Sequence, residues 1–118
     1  MLKRQYRLNK KSAFAATYKV NHSYHSEGIT LFAGLRKKND TLTRAGFVVS
    51  KKTHKRAVKR NRLRRLMRES YRLLLKSGKL GRSQEYMSLI FIGSERALDK
   101  NFSQMQNIIS KLLEGIKC

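Results

Sequence analysis

The chain contains no proline, no tryptophan, one cysteine and only seven acids in 118 residues. Without proline, its turns fall to Gly, Asn, Asp and Ser. The single cysteine, Cys118, cannot close an intrachain disulfide, which suits a reducing cytoplasm, and it is expected to be an exposed free thiol. Seven scattered acids argue against an all-protein two-metal nuclease centre. His22, His25 and His54 lack metal-ligand spacing with cysteine or acid, so no protein-held metal is expected. The longest apolar run, residues 89–92, is far short of the ~20 residues that span a bilayer. The opening MLKRQYRLNKK lacks the apolar stretch of a signal peptide. Neither a phosphate-cradling glycine loop nor a nucleophile triad signature is present. The expectation is a soluble, cytoplasmic protein with no membrane partner.

Positive charge is what the chain has in excess. Twenty-eight Lys and Arg residues give a net charge of +21. Such self-repulsion is easiest to reconcile with a compact state if a phosphate-rich partner neutralises it. Eleven of these cations fall in residues 51–72, KKTHKRAVKRNRLRRLMRESYR, beside the single acid Glu69. They alternate with apolar residues at helical spacing, so this is a folded surface and not a loose tail.

One domain is expected over 1–118, with a basic and flexible arm at residues 1–8. A first helix of about ten residues is capped by Asn9 or Ser12 and places Phe14 and Tyr18 four apart on one face. Residues 22–28 read as a polar loop. Residues 28–35 form a strand with Ile29, Leu31, Ala33 and Leu35 on one side and Thr30 and Phe32 on the other. Residues 36–41 read as a hairpin turn leading to a second strand at 43–50. That strand has Ala45, Phe47 and Val49 on one face and Gly46, Val48 and Ser50 on the other.

A helix over residues 58–76 carries the buried stripe Leu63, Leu66, Met67, Ser70, Tyr71 and Leu74. Asn61, Arg62, Arg64, Arg65, Arg68, Arg72 and Lys76 occupy the remaining arc. One Glu cannot pair six cations, and guanidinium forks suit phosphate oxygens. Gly78 and Gly81 end the helix, residues 87–92 give a central strand, and Asp99 caps a last helix. The order of elements argues one α+β layer structure. Phe14, Tyr18, Phe32 and Val48 can line a ring-walled cleft for unpaired bases, with Ser50 in the same parity; ordinary helix-on-sheet packing is the other reading.

The central block Ala57-Val58-Lys59-Arg60-Asn61-Arg62-Leu63-Arg64-Arg65-Leu66-Met67-Arg68-Glu69 resembles the Arg-Asn-Arg signature of the bacterial ribonuclease P protein family. Upstream, Gly46-Phe47-Val48-Val49-Ser50-Lys51-Lys52 is similar to the family's strand leading into that signature, and Arg7-Leu8 and Phe14 match its N-terminal pattern. The resemblance spans about residues 7 to 113. It implies an α/β sandwich, a four-stranded sheet in αβββαβα order with a left-handed βαβ crossover, of the ribosomal protein S5 domain 2-like class. It further implies an RNA-binding subunit of an endonuclease that removes the 5′ leader of precursor tRNA. The partner is then a catalytic RNA subunit whose Mg²⁺ ions do the chemistry, and no obligate protein partner is needed.

By that resemblance Lys51, Lys52, Arg60, Asn61, Arg62, Arg64, Arg65 and Arg68 contact the catalytic RNA. Phe14, Tyr18, Phe32, Val48 and Ser50 line the leader cleft. The Asn61 amide can bond backbone, a base edge or a metal-bound water, and the sequence does not choose. Two departures from the family pattern stand out. Thr53-His54-Lys55-Arg56 replaces a shorter Gly-Asn loop, and Ile92-Gly93-Ser94 lacks the usual basic residue after the fourth strand. The competing readings are a ribosomal-protein-like RNA binder and a nucleoid DNA-binding protein. A duplex reader would bring dimer symmetry or a helix-turn-helix, and neither is visible.

Overall fold

The apolar run near residue 90 becomes the middle of a four-stranded sheet. The computed structural model describes residues 2–39 and 41–116. Along the chain it forms α1 (Lys11–Val20), β1 (His22–Ser26), β2 (Ile29–Ala33), β3 (Arg44–Val49), α2 (Ala57–Lys76), β4 (Ser88–Gly93) and α3 (Phe102–Glu114). This is the αβββαβα order. The sheet runs β1-β2-β4-β3, with β1/β2 and β2/β4 antiparallel and β3/β4 parallel.

Two expectations fail here for one reason, the pairing of β2. Residues 22–28 are not a loop, because β1 pairs with β2 across Glu27 and Gly28, whose φ angles of 45° and 90° make a two-residue turn. HSYHS carries no apolar alternation because it is an edge strand held by backbone bonds. Nor do residues 36–41 close a hairpin, since β4 lies between β2 and β3. A strand apolar on both faces needs a neighbour on each edge, and β2 takes β1 and β4. The parallel β3/β4 pair then requires a long crossover, which α2 supplies. Asp40, within the expected turn, and Cys118 lie outside the described residues.

Helix caps also differ from expectation. The N-cap of α1 is Lys10, with no side-chain cap from Asn9 or Ser12. Its entry is fixed by the sheet instead: buried Leu8 donates its N–H to the Ala45 carbonyl at 2.9 Å. For α3 the cap is Asn101 and not Asp99. Asn101 and Gln104 exchange side-chain and backbone bonds of 2.8 and 3.0 Å, a reciprocal pair that Asp99 cannot make with Phe102 three residues on. Gly78, at φ 72°, closes α2 just beyond Lys76.

One face of the sheet is the core. Ile29, Leu31, Ala33, Ala45, Val49, Leu89 and Phe91 are buried there with Leu63, Met67, Tyr71 and Leu74 of α2 and Met105, Ile108, Ile109, Leu112 and Leu113 of α3. Phe47 stacks on Phe91 with ring centroids 5.5 Å apart, and Tyr71 closes edge-on against Phe47 at 6.0 Å. Burial pushes the Tyr71 phenol up to about 12, so it stays neutral, accepting a bond from the Gln84 amide at 3.1 Å. Residues 2–8, the described part of the expected basic arm, pack on this scaffold. Leu2 is buried, Arg4–Tyr6 make one 3-10 turn, and the Arg7 Nε donates to the Leu2 carbonyl at 2.8 Å.

Candidate nucleic-acid interface

Helix α2 sorts its cations by angle around its axis. Leu63, Met67, Ser70 and Leu74 point into the core, and 100° per residue then sets Asn61, Arg65, Arg68 and Arg72 on the opposite side. Arg62 and Arg64 fall on the two flanks. The flanking guanidiniums are held by carbonyls: Arg62 donates to Leu98 and Lys100, both at 3.1 Å, and Arg64 to Val49 at 3.0 Å and to the Asn61 amide oxygen. Arg60 turns back to the carbonyls of His54 and Lys55, at 2.7 and 2.9 Å. That second contact makes the Thr53-His54-Lys55-Arg56 segment a ledge under the start of the helix.

Arg65 and Arg68 are different. Among the described residues, neither has a hydrogen-bond or ion-pair partner, and with Asn61 and Arg64 they line an open hollow of about 300 Å³. Lys51 and Lys52 are exposed in the turn before the helix. The Lys52 backbone N–H donates to Ser50 Oγ at 3.1 Å, so Ser50 shapes that turn. Glu69 pairs with Arg72 at 2.9 Å, and the guanidinium holds its carboxyl below the usual range. The expected RNA-facing set thus has two kinds of member. Arg60, Arg62 and Arg64 are fixed by backbone, whereas Arg65 and Arg68 are free cations beside the Asn61–Arg64 pair.

The second face of the sheet is covered only in part. Helix α1 crosses its lower end, where Thr17 and Ser88 share a buried hydroxyl bond of 2.6 Å. One residue pair further up, Gly46, Ile90 and Phe32 lie in register. A Cβ on Gly46 would sit 2.6 Å from the Phe14 ring, so the glycine is what lets Phe14 lie on the sheet. Tyr18 meets Phe32 edge-on at 5.1 Å, half-covered, and partial burial raises its phenol pKa. The next row, Val48, Ile92, Thr30 and His25, is left uncovered by α1 and half-exposed across three strands, with His25 exposed at the edge.

Phe14, Tyr18, Phe32 and Val48 therefore share this face. Ser50 lies just beyond the end of β3 and is exposed. Sequence reasoning missed Ile92, Thr30 and His25 as members. Thr30 and Ile92 were available from strand parity with Phe32 and Ile90, whereas His25 was hidden by reading β1 as loop. Thr30 Oγ1 and His25 Nδ1 hydrogen-bond at 2.8 Å, giving the otherwise apolar row one polar end. Among the described residues no three His, Cys, Asp or Glu side chains gather to hold a metal, and the residues present do not fit a protein-borne Mg²⁺ centre. No helix among them is long and apolar enough to cross a membrane.

The ribonuclease P family profile matches residues 2–117. The ribonuclease P protein component of Clostridium kluyveri is 32% identical over 115 residues, 92% of each chain. That of Pseudanabaena is 35% identical over 111 residues, 94% of each. The solved ribonuclease P protein of Staphylococcus aureus superposes with a TM-score of 0.75 at 28% identity, covering 92% of this chain and 93% of that one. The chain belongs to the ribonuclease P protein family. It is a subunit of an endoribonuclease holoenzyme whose catalysis lies in RNA, with an RNA-binding role in tRNA 5′ processing. The ribosomal-protein-like and nucleoid readings give way to that membership.

Proposed function

We propose that the outward side of α2 binds the catalytic RNA of ribonuclease P, and that the open half of the second sheet face holds the single-stranded leader of precursor tRNA. The observation that carries the first part is the pair Arg65 and Arg68, cationic and unpartnered beside Asn61 and Arg64. Arg64, fixed by the Val49 carbonyl, links that hollow to the sheet, and Lys51 and Lys52 add exposed charge in the turn that follows β3. Arg60 and Arg62 hold the helix in place through the carbonyls they cap.

For the leader, Phe14, Tyr18, Phe32 and Val48 present rings and apolar surface on which bases stack without reading sequence. The chain's part in the reaction is positional. Guanidiniums fix the protein on the RNA, the cleft orients the leader, and the cationic surface replaces counterions around crowded phosphates. Mg²⁺, held mainly by the RNA, supplies the hydrolytic chemistry. The protein thereby lowers the Mg²⁺ demand and widens the range of substrates. The setting is the cytoplasm, with no obligate protein partner.

A cleavage assay on precursor tRNA, with and without the RNA subunit, tests this. The protein alone cleaves nothing, and added to the RNA it raises affinity for precursor tRNA and reduces the Mg²⁺ needed. Cleavage by the protein alone, or turnover indifferent to the protein, contradicts the proposal.

A further inference from the structure

Beyond the signature, the outward side of α2 runs on into a second concavity. Two turns past Arg65, about 10 Å along the axis, Arg72 and Lys76 meet the N-terminal segment. Leu2, Lys3, Tyr6, Arg72, Leu75 and Lys76 enclose a hollow of about 390 Å³. It lies at the other end of the helix from the Asn61–Arg64–Arg65–Arg68 hollow, and neither the signature nor the leader cleft accounts for it.

Its lining combines three features. Leu2, buried, and Leu75, half-buried, give an apolar floor. Tyr6 adds an aromatic ring, half-buried and packed at the margin of the core. Lys3, Arg72 and Lys76 bring three cations to the rim. The Glu69 carboxylate engages Arg72 through Nε, so the terminal guanidinium nitrogens remain for another acceptor. An aromatic wall over an apolar floor suits the face of a base, and a cationic rim suits the phosphates on either side of it.

We infer that this hollow is a nucleotide site, in which one unpaired RNA nucleotide stacks on Tyr6 while Lys3, Arg72 and Lys76 hold its flanking phosphates. The inference rests on the RNA-binding reading of α2 and adds to it a base-stacking contact outside the signature. It also gives the packed N-terminal segment a role, since Leu2, Lys3 and Tyr6 build half of the site. Two RNAs can supply the nucleotide, the catalytic subunit or the precursor tRNA.

The test uses the full chain with its RNA subunit, in two arms. One measures affinity for the RNA subunit alone, the other the affinity of the assembled holoenzyme for precursor tRNA, each across a salt series. Tyr6→Leu keeps apolar volume and removes the stacking ring. It lowers affinity about five-fold or more in the arm whose RNA supplies the nucleotide, with the salt slope unchanged. Tyr6→Phe restores native affinity. Lys3→Gln with Lys76→Gln, both on exposed side chains, lowers the salt slope in the same arm by about 0.7–0.9 per lost phosphate contact.

If both sets of variants bind as the native chain does in both arms, while Arg65→Ala weakens RNA-subunit binding, the nucleotide site is wrong and the function stands. If Arg65→Ala is also without effect, the functional reading of α2 falls, and this site with it. Loss in Tyr6→Leu that Tyr6→Phe fails to restore likewise overturns the stacking role.

Discussion

The two faces of one sheet have opposite fates. On the first, α2 and α3 cover every strand, and Phe47, Phe91 and Tyr71 form a packed aromatic cluster. On the second, the single short helix α1 covers one end, and the row Val48–Ile92–Thr30–His25 stays open. The residue types are not very different: rings and β-branched side chains occur on both. What separates the buried face from the open one is the amount of helix laid over the strands.

Substitutions sharpen that contrast. Phe91→Ala, on the covered face, should cost about 3–5 kcal/mol of stability, read as a lowered midpoint in urea. RNA affinity of the protein that remains folded should be unaltered; a small stability loss would mean the cluster is loosely packed. Phe14→Ala, on the open face, should weaken binding of precursor tRNA with a leader by about 1–3 kcal/mol. Mature tRNA should be bound as before, and equal losses on both substrates would move the leader elsewhere.

A smaller effect tests the same distinction on α2. Arg62→Ala deprives the Leu98 and Lys100 carbonyls of their donor, and should lower stability by about 1–2 kcal/mol with little change in the salt dependence of RNA binding. A full phosphate's worth of salt dependence lost from Arg62 would place it among the gripping residues.

Much of this was legible in the sequence because periodicity reports burial. Of the stripe Leu63, Leu66, Met67, Ser70, Tyr71 and Leu74 read from helical spacing, all are buried except Leu66, which is half-buried at the edge of the core. The faces of β2 and β3 followed from parity, which put Phe32 and Val48 on the side of Phe14 and Tyr18. What escaped was set by partners distant in sequence. Strand β1 has no apolar signal because β2 supplies its bonds. The β2–β3 hairpin failed because β4, far along the chain, takes the place between them. A helical wheel put Arg62, Arg64 and Arg65 on one arc, and could not show that the carbonyls of Leu98, Lys100 and Val49 wait at its flanks. The Arg-Asn-Arg block pointed to the family, whereas the division of its guanidiniums into held and free depends on carbonyls distant in sequence.

Two variants of equal charge loss decide between a grip by one side of α2 and attraction by net charge at large: Arg65→Ala/Arg68→Ala, and Lys19→Ala/Lys111→Ala on exposed positions of α1 and α3. The measurement is the dependence of RNA-subunit affinity on salt. The first variant should lose about 1.4–1.8 from the log–log slope and the second close to none. Equal losses in the two, or none in the first, would contradict the account.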